Sequence, residues 1–270
     1  IGDDELKEAM DVARYAKQLA CGFYYRWKWP DGVKDLEWLA ARSAWNKAVR
    51  DTMRYRPSLG LYTPLMVWRA AEKGDLDLDE WRAWVAVKDR WKPHPPVETV
   101  WLSDFLIGEI TDWVYDCEEP GIIWYDHLEI ADRLEAQGLE VFRSGDGRDK
   151  EVLTSKMNVI CLSVSAHRDG LNLQSRCKNL VITPPASGEA WQQLLGRTHR
   201  KGQKADEVEC EVFAHDPSLT QALASALEDA RFVKETQEKQ KILCATRQGF
   251  GPLDSREEVW QDPSRMVLDG

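Results

Sequence analysis

Gly121-Ile122-Ile123-Trp124-Tyr125 is an uninterrupted apolar run set between Pro120 and Asp126, and it reads as a strand. Four more follow, at Leu139 to Phe142, Val159 to Leu162, Leu180 to Thr183 and Val208 to Phe213. The intervals carry helical periodicity at about 127–137, 148–156 and 188–199. In the first of these, Leu128, Ala131 and Leu134 form an inward stripe, and Asp126 with Glu129 makes a capping-box pattern. Apolar strands alternating with amphipathic helices are the rhythm of a parallel sheet covered by helices on both faces. The expected fold class is α/β.

Working outward, residues 5–92 read as helical, with breaks at Pro30-Asp31-Gly32, at Arg56 to Gly60 and at Glu72-Lys73-Gly74. Asp77 followed by Glu80 is a second capping-box pattern, expected to open a helix carrying Trp81, Trp84, Val85 and Lys88. Lys92-Pro93-His94-Pro95-Pro96 cannot continue a helix and marks a domain boundary. Beyond it Val97 to Glu118 reads as another helix. Asp216-Pro217 is a cap with proline at the first helical position, opening a helix expected to run to about Leu243. The organisation expected is a mainly helical accessory or insertion region at 1–96, an α/β domain at 97–248 and a tail at 249–270 serving as a linker or loose end.

With 270 residues, 43% hydrophobic content and a mean hydropathy of -0.51, the chain can bury a real core. No apolar run approaches the roughly 20 residues that span a bilayer, so no membrane role is expected. A net charge of -10 argues against coating nucleic acid by bulk electrostatics. A local basic patch remains: Arg197, His199, Arg200, Lys201 and Lys204, with Arg176 and Lys178 upstream. Six scattered cysteines without a C-x-x-C pair read as reduced and packed, which together with the lack of a signal peptide points to a cytoplasmic setting. The opening Ile1 fits a fragment of something longer.

The stretch with the most chemistry is Gln193-Leu194-Leu195-Gly196-Arg197-Thr198-His199-Arg200-Lys201-Gly202-Gln203. Two arginines three apart at a helix end would share a face and could clamp a polyphosphate. No G-x-x-x-x-G-K-[ST] run occurs, so the usual phosphate cradle is missing and a second domain is implied. Loops of parallel sheets bind ligands at the carboxyl ends of strands, and two such loops stand out. One runs through His167-Arg168-Asp169-Gly170-Leu171-Asn172-Leu173-Gln174, and the other leads through Pro184 and Pro185 into the arginine-bearing helix. Ser163 and Ser165 lack a G-x-S-x-G setting, and the paired acids read as solvated faces.

These residues resemble the second RecA-like domain of superfamily 2 helicases and translocases, most closely the Snf2-like group, phage-encoded members among them. Asp169-Gly170-Leu171-Asn172-Leu173-Gln174 is similar to that family's fifth motif, and Gln193 through Gln203 to Q-x-x-x-R-x-H-R-x-G-Q, its sixth. Gly121 to Trp124 resembles the strand of its fourth motif. The likeness covers about residues 97–245 and leaves the first third unexplained. Gly196 stands where the Snf2-like group usually has an acidic residue, and no tryptophan-asparagine-proline element lies near 183–189.

The resemblance implies a RecA-like sheet and the C-terminal motor domain of an ATP-dependent DNA helicase or translocase. Arg197 and Arg200 would be arginine fingers on ATP held, with Mg2+, by an N-terminal RecA-like domain. Gly170, Gln193, Asp169 and Gln203 would line the nucleotide cleft, and His167, Arg168 and Asn172 would meet DNA, duplex by preference. The fragment alone would hydrolyse ATP poorly. The rivals are a non-enzymatic protein or DNA interaction scaffold and an RNA helicase branch. In the first third, Phe23-Tyr24-Tyr25-Arg26-Trp27-Lys28-Trp29 interleaves rings with cations, so Arg26 and Trp27 could stack on and neutralise DNA. Eight of the 13 tryptophans precede Pro93, many near helical spacing, which favours gluing a helical bundle together.

Overall fold

The computed structural model describes residues 9–91, 94–168, 170–237, 242–245, 247–249 and 265–269. In chain order the elements begin with α1 (Ala9–Ala20), β1 (Phe23–Trp27), α2 (Leu36–Tyr55), α3 (Pro64–Lys73), α4 (Asp79–Val87), β2 (Val97–Trp101) and α5 (Phe105–Asp116). They continue with β3 (Gly121–Tyr125), α6 (Leu128–Ala136), β4 (Glu140–Phe142), α7 (Asp149–Thr154), β5 (Val159–Ser163), α8 (Val164–His167) and β6 (Lys178–Val181). The last are α9 (Gly188–Thr198), β7 (Glu207–Val212), α10 (Pro217–Gln237), α11 (Ile242–Ala245), β8 (Arg247–Gly249) and β9 (Arg265–Asp269). Two compact units result, one of residues 25–99 and one joining the described residues before 25 to those from 100 onward.

The larger unit is α/β, built on a seven-stranded sheet in the order β4-β5-β3-β6-β7-β9-β8. Its first five strands are parallel, as the alternation of strands and helices predicts. β3 and β5 are buried at every position because helices cover both of their faces. Ile122 and Trp124 pack with Trp191 and Leu194 of α9 and Leu223 and Ala226 of α10. The alternate residues Ile123 and Tyr125 point to the opposite face, where α6 lies against β3. Gly188 opens α9 where a Cβ would stand 2.9 Å from the backbone of α10, so only glycine allows the two helices to approach so closely.

One polar network crosses this core. Trp124 Nε1 donates to Asn179 Oδ1 at 3.0 Å, and Asn179 Nδ2 donates to Glu209 O at 3.1 Å and Thr198 Oγ1 at 3.3 Å. All three side chains are buried, so each bond is made where water cannot substitute.

Several expectations change. Val97–Trp101 is a strand rather than the start of a helix, and it pairs with Phe23–Trp27, which also read as helical. Lys28 N to Pro96 O at 2.6 Å and Leu102 N to Gly22 O at 2.8 Å bracket an antiparallel ribbon, and the chain passes between the two units within these strands. Residues 9–24 belong with the α/β unit: α1 lies against α10, and His215 Nε2 contacts Ala20 O at 2.8 Å. Neither capping box forms. α4 begins at Asp79 without a side-chain cap while Asp77 pairs with Arg82, and α6 begins at Leu128 after an uncapped His127. Asp216 does cap, accepting from Ser218 N at 2.8 Å, and α10 is described over Pro217–Gln237, the rest of the expected run up to residue 241 lying outside the described residues. In the tail, Arg265–Asp269 adds a strand antiparallel to β7.

The smaller unit is built on α2, whose buried face is Trp38, Ala41, Trp45, Val49 and Thr52. Trp27, Trp29 and Trp84 meet Trp38 edge to face and Trp91 meets Trp29 the same way, while Trp68 is edge to face with both Trp45 and Trp81 and Trp81 is tilted against Trp45. Asp35 caps α2, its Oδ1 accepting from Trp38 N at 2.9 Å and its Oδ2 from Trp91 Nε1 at 3.2 Å. The Trp38 N–H, then Trp91 and Arg90, hold the Asp35 carboxyl below the ordinary aspartate range.

Two tests follow from these contacts. A depressed folded-state pKa gives stability that is present above the unfolded value and lost as pH falls through the folded one. Asp35→Ala should therefore cost roughly 1 kcal/mol at pH 7 in urea melts, a difference that closes as pH drops below about 4. Asn179→Ala should cost about 2–3 kcal/mol, because Trp124 Nε1 is left unpaired in the core. Adding Trp124→Phe should cost less than the sum of the two changes.

Candidate functional site

Helix α9 starts at the carboxyl edge of the sheet, capped by Ser187, and returns antiparallel to the strands. Its eleven residues match the height of the sheet, so its last turn arrives at the amino edge. The segment 170–177 reaches the same edge from the other side, since Cys177 N donates to Pro120 O at 3.0 Å immediately before β3. The arginines and the glycine loop thus meet at the amino ends of the strands, not at the carboxyl ends where the parallel-sheet rule placed them. Each segment leaves a strand at one edge and is carried across the sheet before its chemistry begins.

At the junction Leu173 N donates to Arg197 O at 3.0 Å. Arg197 is half-buried; its Nε donates to Gln193 O at 3.0 Å and its Nη1 to Leu171 O at 3.2 Å. Arg200 is exposed, and its Nη1 donates to Asn172 Oδ1. Helix α9 ends at Thr198 with His199 as C-cap, so the two arginines do not share a helical face. They converge instead because they reach adjacent residues of the neighbouring loop, Arg197 to Leu171 and Arg200 to Asn172. Gly170 lies exposed at φ +87, with open space where a Cβ would be.

Other expected site residues are placed differently. Gln203 is half-buried and spent on the backbone: Nε2 donates to Arg176 O at 3.0 Å and Thr198 O at 3.2 Å, and Oε1 accepts from Lys204 N and Ala205 N. It closes the turn after α9. His167 is buried, 2% exposed, with Nε2 3.7 Å from Asp149 Oδ1. Arg168 is half-buried and Asn172 exposed, while Asp169 lies outside the described residues.

Arg176 and Lys178 leave the basic patch. Arg176 is buried, donating to Gly121 O at 3.0 Å, Asn158 O at 2.8 Å and Met157 O at 3.1 Å, and burial pulls its pKa down. It staples the amino ends of β3 and β5, a role that a sequence showing only an arginine in a loop does not reveal. Lys178 is held by Glu209 at 2.6 Å and Glu119 at 3.2 Å. In the smaller unit Arg26 pairs with Glu98 at 2.5 Å, and Trp27 is packed among tryptophans under Arg42.

Among the described residues the donors Arg197, Arg200, Lys201, Lys204 and Gln193 are accessible at the junction, with Asp206 and Glu207 exposed just after them in sequence. Such a set of donors suits an anion. A separate cavity of 510 Å³ is lined by Glu109, Asp112, Asp116 and Glu211 among aromatic rings, which suits phosphate poorly. Among the described residues no cluster of His, Cys, Asp and Glu could hold a metal ion, and no helix is long and apolar enough to cross a membrane.

No family model and no curated protein matches the chain. A solved structure described as the crystal structure of the C-terminal part of Fun30 ATPase domain is similar at 15% identity with a TM-score of 0.32. The match covers 61% of this chain and 58% of that one, so the chain spans less than two thirds of the structure it matches. So slight a likeness carries no argument.

Gly170→Ala should cost about 1 kcal/mol in thermal or urea melts, because a left-handed backbone is unfavourable once a Cβ is present. The space around it is open, so no larger packing penalty should appear.

Proposed function

We propose that this chain carries the C-terminal motor lobe of an ATP-dependent DNA helicase or translocase, its arginines completing a nucleotide site on a partner RecA-like lobe. The observation that supports this is the junction itself. Two segments that resemble the fifth and sixth helicase motifs, more than twenty residues apart, are hydrogen-bonded through Arg197 to Leu171 and Arg200 to Asn172.

The residues fit a triphosphate as anion binders. Arg197 is fixed through Nε and Nη1, and Arg200 through Nη1, so both guanidiniums are oriented before any ligand arrives. Charges held in advance stabilise a developing phosphoryl charge without reorganisation when it forms. ATP would supply the phosphoryl group, with Mg2+ held by the partner lobe. Gln193 and Gly170 would border the nucleotide, and Gln203 would keep the turn beneath them in shape. Arg168 and Asn172 would couple this edge to DNA, because Asn172 is tied to Arg200 and any shift of the loop moves the finger.

The test measures DNA-stimulated ATP hydrolysis by the chain assembled with a lobe that carries the P-loop. Arg197→Ala and Arg200→Ala should each lower turnover about 10³-fold with the fold retained, and Arg200→Lys should not restore it, since an ammonium cannot reproduce the planar fork. Near-normal turnover in both alanine variants would reject the assignment and favour a non-enzymatic scaffold.

A further inference from the structure

In the run at 23–29 the rings are buried or half-buried and Arg26 is paired with Glu98, yet the smaller unit carries a second set of rings and cations that packing does not use. Between Tyr55 and Met66 five large apolar side chains are exposed, among them Tyr55 at 67%, Tyr62 at 74% and Leu65 at 56%. Arg56 stands exposed in this segment and Arg54 and Arg69 stand exposed on either side of it, with Arg54 5.3 Å from the Tyr55 ring centre. No aspartate or glutamate occurs from Thr52 to Ala71, in a chain that has 46 acidic residues and a net charge of -10.

The backbone beneath is held. Pro57–Leu59 forms a 3-10 turn, Gly60 follows in the left-handed region, and Thr63 caps α3 by accepting from Met66 N at 3.3 Å. Leu61 packs against the core around Trp45 and Val67, so the rings on either side project from an anchored loop. Rings presented on a fixed frame bind at low entropic cost.

We propose that Tyr55 and Tyr62, with Arg54, Arg56 and Arg69, form a binding platform for single-stranded nucleic acid. Unpaired bases stack on flat phenol faces, while the phosphates between them need cations and an acid-free surround. An acidic protein partner would match the arginines but would have no use for two nearly bare rings. A second protein chain docking on the apolar residues would leave three guanidiniums to be desolvated without a counter-charge. The platform is separate from the arginines of the α/β unit and needs no nucleotide, so its test stands or falls independently of the motor assignment.

The measurement is fluorescence anisotropy of a labelled 20-nucleotide oligo(dT) titrated with the full chain at several salt concentrations. Saturable binding at about micromolar affinity in moderate salt is expected, weaker for a duplex of equal length. Tyr55→Ala and Tyr62→Ala should each weaken binding about tenfold, with Tyr62→Phe close to wild type. Each of Arg54→Ala, Arg56→Ala and Arg69→Ala should flatten the log–log salt slope by about 0.7. Equal affinity for duplex with no effect of the tyrosine changes would overturn the proposal. Self-association of the wild type that Tyr62→Ala abolishes in sedimentation runs, without oligonucleotide binding, would overturn it in favour of a protein interface. Circular dichroism on every variant separates lost binding from lost fold.

Discussion

The α/β unit depends on a seam between a loop and a helix end. Leu173 N meets Arg197 O, the Arg197 guanidinium returns to Leu171 O, and Gln203 closes the turn by reaching Arg176 O and Thr198 O. Behind the seam, Arg176 is pinned to the first carbonyl of β3 and to the two carbonyls just before β5. The candidate site therefore inherits its positions from the most buried strands of the sheet, through a chain of hydrogen bonds that mostly end on backbone. Backbone acceptors in a sheet cannot swing away as side chains do, so the charges at this edge stay where the fold puts them.

The parallel strands were legible because burial on both faces leaves no polar alternation, as in Ile122 to Tyr125 and Val159 to Leu162. The ribbon of β1 and β2 was not. Val97, Val100 and Trp101 fall at spacings a helix would also use, and what makes them a strand is a partner about seventy residues away. Caps misled for a related reason: Asp77 has the right spacing from Glu80, but a nearby guanidinium claims its carboxylate. At the site the residue types were readable and their edge was not. Strand order and helix length decide where a segment lands, and neither is visible in a motif.

His167 and Trp27 show the same limit from the side of function. A histidine beside a glycine loop and a tryptophan among cations both look like ligand contacts in one dimension. In the structure one is buried and the other belongs to a tryptophan cluster. The rings and cations that remain at the surface of the smaller unit lie thirty residues further on, in a segment whose sequence shows only a turn between two helices.

The strand Arg265–Asp269 gives the sheet a finish that its length does not suggest. By lying antiparallel along β7 it occupies a row of main-chain donors and acceptors that would otherwise form an open border. Proteins cut upstream of Arg265 would keep their parallel strands and lose that selvedge. The bared row on β7 would then template pairing with another molecule and seed aggregation.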